Sequence, residues 1–235
     1  MTLPEIVSRD EWLAARLALL EREKEARREL DRINTERRRL PMVRVAKPYR
    51  FHGAEGPAGL ADLFAGRAQL IVQHVMFDPE WDAACPSCTA SIDEIAPALL
   101  EHLHNRSTTF VLVSRAPHAK LAAYAATRGW DIPWYSSHGD DFNFDFDVSF
   151  DEAVKPAVYN YRALPVIGSP ELPGFSCFLT DGDDVFHTYS TYARGTDFGG
   201  AYALLDLTAL GRQEEWEEPK GRAGHARSAV PDFAP

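Results

Sequence analysis

Two cysteines spaced by two residues, Cys85 and Cys88 in "CPSC", are the side chains of this sequence best placed to do chemistry. They follow the apolar run "LIVQHVMF" and precede the helix-forming stretch "TASIDEIAPALLEHL". A thiol at the start of a helix faces unpaired N–H groups and the positive end of the macrodipole, and both favour its anion. The thiolate is the form that attacks a disulfide. Cys88 lies one turn on, within reach to displace a partner from a mixed disulfide, and Pro86 at the first helical position costs no hydrogen bond. After a strand in a β-α-β pattern, the pair therefore reads as nucleophile and resolving thiol, acting on a protein or small-molecule disulfide or thiol, with no cofactor required. A second reading stays open. Cys85 and Cys88 with an imidazole from His74 or His187 would suit Cu(I) or Zn(II), giving a copper-dependent oxidase or oxygenase, or a metal-binding protein without catalysis.

Other residues gather around this pair in the sequence. "VSRAP" sets Arg115 at the end of an apolar strand, the edge where open α/β folds bind ligands, and its guanidinium is a candidate for an anionic substrate group or for the Cys85 thiolate. Trp81 lies four residues before Cys85 and is a candidate substrate contact. "FHTYSTYARG" places Tyr189, Tyr192 and Arg194 behind His187, more hydrogen-bonding groups than a plain strand end needs, so this stretch is expected to line the site or an interface. Cys177, in "FSCFL", reads as an inert core thiol. "DFNFDFDVSFDE" spaces acidic residues like a calcium loop, but Phe146 stands where that loop needs glycine, and an extended segment with an aromatic face explains it better.

These residues need elements to hold them. "SRDE" offers a capping box, Ser8 with Glu11, that opens a long helix ended by Pro41; Trp12, Leu13, Leu17 and Leu20 form a stripe along it, and Glu23 and Arg27 are spaced for an ion pair. From Met42 the pattern turns to α/β. "YRFHG", "AQLIVQHVMF" and "TTFVLVS" read as strands, Cys85 to about His104 as a helix interrupted at Pro97, and "PHAKLAAYAATRGW" as a helix from Pro117 to Gly129. "GFSCFLTDGDDVFHTYS" reads as a hairpin turning at "DGDD", and a last helix runs through "DFGGAYALLDLTAL". The organisation is an arm over residues 1–41, a domain over 42–210 and a polar tail over 211–235.

Of the 235 residues 45% are hydrophobic, enough for a real core, and a formal charge of −10 repels phosphate backbones, so nucleic acid is not an expected partner. No apolar run approaches the roughly 18 residues that span a bilayer, and the first residues lack the pattern of a secretory signal, so a cytoplasmic location is expected. The 3 cysteines are too few for a disulfide framework.

The stretch "GLADLFAGRAQLIVQHVMFDPEWDAACPSC" resembles the opening of thioredoxin-like and peroxiredoxin-like domains. More narrowly, "LPMVRV", "HVMFDPEWDAACPSC", "VSRAP", "GWDIPWYSSHGDDFNFDFDVSF", "VYNY", "ELPGFSCF" and "VFHTYSTYARG" are similar to a bacterial family in that superfamily, catalogued as domain of unknown function 899. The resemblance spans about Leu3 to Gly211 and implies a thioredoxin-like α/β fold, here with a long N-terminal helical arm. It implies a cis-proline beside the sulfurs, for which Pro173 is the candidate. Peroxiredoxins carry a proline and a threonine seven and three residues before the reactive cysteine; Asp78 and Asp82 stand there instead, which argues against that mechanism at Cys85. Domains of this kind often pair, and the apolar stripe of the arm is expected to lie against the domain or in a homodimer.

Overall fold

The computed structural model describes residues 4–165 and 167–193, which divide after Pro41 into two compact units. The first contains helix α1 (Arg9–Arg37), opened by the expected capping box: the Glu11 carboxylate accepts from the Ser8 backbone N–H at 2.9 Å, and Ser8 Oγ accepts from the Glu11 N–H at 3.3 Å. α1 buries none of its residues; of the stripe, Trp12, Leu13 and Leu17 are 46, 42 and 53% exposed and Leu20 is partly buried. Glu23 pairs with Arg16 at 2.8 Å, two turns back, and not with Arg27.

The second unit is built on one sheet. Its strands are β1 (Val43–Arg44), β2 (Arg50–Gly53), β3 (Gly56–Gly59), β4 (Gln69–His74), β5 (Thr108–Ser114), β6 (Trp134–Ser136), β9 (Gly174–Asp181) and β10 (Asp184–Tyr192). Their spatial order is β1-β10-β9-β4-β5-β6-β2-β3. β4, β5 and β6 run parallel, joined by helices, while β9 lies antiparallel beside β4 and folds back through a hairpin to β10. Every residue of β5 is buried, as a strand covered on both faces requires. β7 (Val158–Tyr159) and β8 (Arg162–Ala163) form a separate small hairpin.

Alternation along β4 sends Leu70 and Val72 to one face, where they meet Phe51, Phe142, Phe146 and Phe178. Val75, just beyond the strand, turns to the other face with Phe77, Cys88, Ile92, Leu112, Leu121 and Trp134. The second face is covered by α2 (Pro86–Asp93), α3 (Pro97–His104) and α4 (His118–Arg128). The expected helix from Cys85 to His104 is thus two helices, because Pro97 has no N–H to continue α2 and instead occupies the first turn of α3. α4 starts after Pro117 and stops at Gly129, whose φ of +68° suits a residue without a Cβ.

The segment expected to be extended around Phe142 differs most. Phe142–Asp145 is a single helical turn, α5, that brings Phe142 and Phe146 onto one side with ring centroids 4.6 Å apart. Its carboxylates are engaged by lysines, Asp141 and Asp145 by Lys47 at 2.8 and 2.7 Å and Asp147 by Lys155 at 2.6 Å, so they form no calcium loop. The last predicted helix, Arg194 and the tail over 211–235 lie outside the described residues.

Candidate functional site

Cys85 is the N-cap of α2, with Pro86 in the first turn, as the sequence predicts. The chain reaches it from β4 through an irregular loop over residues 75–84 that is tied down at several points. The Cys85 N–H donates to the Met76 carbonyl at 2.9 Å, folding the loop back on the end of the strand. Lys120 Nζ, on α4, donates to the carbonyls of Pro79 and Trp81 at 2.7 and 2.8 Å. Asp78 accepts from the Glu80 N–H at 2.9 Å and pairs with Arg115 at 2.6 Å. The Thr89 N–H and hydroxyl both donate to the Cys85 carbonyl, at 2.9 and 3.1 Å, holding the first turn shut.

Cys85, Cys88 and Cys177 form no disulfide. Cys85 is half-buried and Cys88 is 5% exposed. A hydrogen bond from the Cys88 thiol pulls the Cys85 thiol down to about 6, against an opposing push from burial; the N–H groups of Cys88 and Ser87 and the Ser87 hydroxyl add to the pull. Cys88 moves the opposite way, pushed well above the ordinary thiol value by the Cys85 sulfur and then by burial, with a smaller push from the Glu171 carboxylate. The two thiols are therefore set apart, Cys85 ionising more readily than Cys88.

A second wall comes from the segment entering β9. Tyr159 on β7 donates its hydroxyl hydrogen to the Pro173 carbonyl at 2.7 Å and accepts from the Ala193 N–H at 2.8 Å. Glu171, two residues before Pro173, is 1% exposed and pairs with Arg115 at 2.7 Å, while Ser149 donates to its other oxygen at 2.8 Å. Burial pushes Glu171 up to about 8, against the pull of the Arg115 charge. Arg115 thus sits between two carboxylates, Asp78 and Glu171, with its guanidinium carbon 4.9 Å from the centroid of the Phe144 ring. It is committed inside the protein rather than held out as a free anion clamp. Beside it opens a cavity of about 700 Å³ lined by Arg115, Phe150, Asp151, Glu152, Pro165, Ile167 and Pro170.

The other predicted residues scatter. Trp81 packs its ring against the core on the cysteine side of the sheet. His74 and His187 lie across the sheet from the cysteines, against Phe146 at centroid distances of 5.9 and 5.2 Å. There they belong to a buried polar chain: His74 Nε2 to Ser176 Oγ at 2.9 Å, Ser176 Oγ to Ser190 Oγ at 2.8 Å, and Ser190 Oγ to His187 Nε2 at 2.8 Å. Burial drives His74 down to about 3 and lowers His187 as well, so both rings are neutral at physiological pH. The ligand set of two cysteines with these histidines is not brought together, and among the described residues no group of three or more His, Cys, Asp or Glu is arranged to hold a metal ion. Tyr189 follows a register shift on β10, opposite Cys177 on β9, and Cys177 itself is half-buried. Glu171, Tyr159 and Lys120 were not singled out from the sequence. The motifs "ELPGF" and "VYNY" carried the first two, yet nothing in a lone glutamate or tyrosine says that it folds beside a cysteine 70 or more residues away.

A parallel β-α-β unit, an antiparallel hairpin beside its first strand and a dithiol opening the helix that follows that strand define a thioredoxin-like domain. The chain belongs to the family described as "Bacterial protein of unknown function (DUF899)", whose model matches residues 1–228. No curated protein matches the chain. Solved structures similar to it include the peroxidoxin BcpB from Mycobacterium tuberculosis, at 18% identity over 63% of this chain and 86% of that one, with a TM-score of 0.42. Another is a cysteine-to-serine mutant of peroxiredoxin Q from Xanthomonas campestris, at 14% identity over 67% and 90% of the two chains, with a TM-score of 0.48. No helix among the described residues is long and apolar enough to cross a membrane.

Proposed function

We propose that the protein is a thiol–disulfide oxidoreductase in which Cys85 attacks and Cys88 resolves. The observation that carries this reading is the placement of the two thiols, Cys85 as N-cap of the helix that follows β4 and Cys88 buried one turn on, which is consistent with a lowered Cys85 and a raised Cys88. At neutral pH the Cys85 thiolate adds to a substrate disulfide, forming a Cys85–partner bond and releasing the other half of the substrate as a thiolate. Cys88 then loses its proton to solvent, bonds to Cys85 Sγ and expels the partner sulfur with its electron pair. The result is a reduced substrate and a Cys85–Cys88 disulfide, which a dithiol donor resets. The substrate of this reading is a protein or small-molecule disulfide, an extended peptide being presented at Pro173.

Iodoacetamide at neutral pH tests the assignment: Cys85 is expected to be alkylated well ahead of Cys88 and Cys177, and the pair to titrate as one two-electron couple against glutathione. Equal labelling of Cys85 and Cys88 with no redox couple would overturn it. A homodimer formed through α1 belongs to the same reading, supported by the exposed Trp12, Leu13 and Leu17. Light scattering of the intact chain against one starting at Met42 decides that point, and a monomeric intact chain at tens of micromolar would remove it.

A further inference from the structure

The exchange reading admits two substrate classes, and a peptide among them needs main-chain partners at Pro173. A chain that docks as an added strand takes its affinity from N–H and C=O groups left free on the edge it joins. The register of the sheet places that edge. Gly174 stands opposite His74, the last residue of β4, so Pro173 lies where the cysteine loop leaves the strand. The Cys85 N–H ties that loop back to the Met76 carbonyl at 2.9 Å. Arg115 joins the loop to the segment before Pro173 by pairing with Asp78 at 2.6 Å and Glu171 at 2.7 Å.

The main chain of residues 170–173 has hydrogen bonds already made. Pro170 and Pro173 carry no N–H. The Glu171 N–H donates to Ser169 Oγ at 3.4 Å, and the Leu172 N–H donates to the Val148 carbonyl at 2.9 Å. Both N–H groups of the segment are thereby engaged. The Pro170 carbonyl accepts from the Phe150 N–H at 2.9 Å, and the Pro173 carbonyl accepts from the Tyr159 hydroxyl at 2.7 Å. Ser149 faces Glu171 in an antiparallel bridge, and its hydroxyl donates to the Glu171 carboxylate at 2.8 Å. The protein has thus laid residues 148–150 along the edge itself. This is no loose flap. Val148 and Ser149 are buried, and Phe150, the most exposed of the three, is at 6%. The Val148 and Ser149 N–H groups both donate to the Asn143 carbonyl, at 3.0 and 3.2 Å.

We propose that residues 148–150 hold the place of a peptide beside Pro173, so that the protein acts on low-molecular-weight disulfides and takes no substrate by main-chain pairing. This rests on the exchange reading and narrows its substrate. A chain slim enough to reach the sulfurs finds no strand edge to pair with, whereas a small disulfide needs only its sulfur at Cys85. With glutathione disulfide, the Cys85 thiolate bonds to one glutathione sulfur and the other leaves as a thiolate. Cys88 gives up its proton, bonds to Cys85 and expels the second glutathione, so the disulfide is reduced to two thiols as the protein dithiol is oxidised.

Oxidation of the reduced full-length protein by three disulfides tests this. One is glutathione disulfide. The others are glutathione mixed disulfides of an extended ten-residue peptide with one cysteine, either unmodified or methylated at every backbone nitrogen within two residues of that cysteine. Losing even one main-chain hydrogen bond would slow a pairing peptide about two- to tenfold. The two peptides are expected to react within twofold of each other, and neither faster than glutathione disulfide. A lead of more than twofold for the unmodified peptide over the methylated one, or a peptide faster than glutathione disulfide, would overturn the proposal. A second measurement follows residues 148–150 directly. In Cys88→Ser with the unmodified peptide held on Cys85 as a mixed disulfide, the Phe150 and Leu172 amides are expected to exchange hydrogen as slowly as in the peptide-free protein. Faster exchange of Phe150 in that adduct would show the segment displaced and would also overturn it. Failure of all three disulfides to oxidise the protein would instead remove the exchange reading itself.

Discussion

Replacing Cys88 with alanine tests the source of the Cys85 thiolate. In the intact pair the largest pull on Cys85 is the hydrogen bond from the Cys88 thiol, ahead of the helix N–H groups. Hydrogen bonds to charged groups are worth about 1.5–3 kcal/mol, or about one to two pKa units. Cys85 is only half-buried, so solvent takes up part of the loss and the lower end of that range applies. Cys88→Ala is therefore expected to move Cys85 from about 6 to about 7. At pH 6 the thiolate fraction then falls from about half to about a tenth. Cys88→Ser keeps a donor in place and should fall between the two. Thiolate absorbance in the ultraviolet, followed against pH, reads the difference directly. If Cys88→Ala titrates where the unsubstituted protein does, the helix end alone holds the thiolate and the ranking of causes is wrong.

Two further outcomes follow from packing and charge. A Cβ added at Gly174, next to Pro173, would stand 2.9 Å from Tyr192 Cδ1 and 3.0 Å from Val148 Cγ1, so Gly174→Ala is expected to cost about 1–3 kcal/mol, seen as a lower urea midpoint with unchanged slope. Glu171 is raised on folding from the ordinary carboxylate range to about 8, so its favourable contribution is complete below about pH 4 and is lost as pH rises through 8. The melting temperature of Glu171→Gln relative to the parent should accordingly climb between about pH 4.5 and pH 8 and then level off; a flat difference would contradict the burial argument.

Local signals in the sequence foretold most of the scaffold. Ser8 and Glu11, Pro117 and Gly129, and "DGDD" each mark an element end through a mechanism that operates within a few residues, and each element ends there. Cys85 was legible for the same reason, since a helix start after an apolar strand is a local pattern. The segment around Phe142 misled because its period-two aromatics match a strand. Contacts with Tyr49 and Phe51, brought in from another part of the chain, select a helical turn instead. His74 and His187 could not be placed from sequence, because which face of a sheet a strand residue takes depends on register with its neighbours. Arg115 was legible as a charge at a strand end, but its two carboxylate partners lie 37 and 56 positions away.

The position of Arg115 also bears on what shape of molecule the protein accepts. Its two ion pairs work as a spacer of fixed length between the loop that carries the cysteines and the segment that carries Pro173. Prising those walls apart would strand a buried charge, which costs about 3–5 kcal/mol when one partner of such a pair is lost. The cleft is thus one that guests must fit rather than reshape. Under the exchange reading, a narrow guest such as an extended chain or a small disulfide would enter without disturbing the spacer, and a folded domain would first have to offer a loose end.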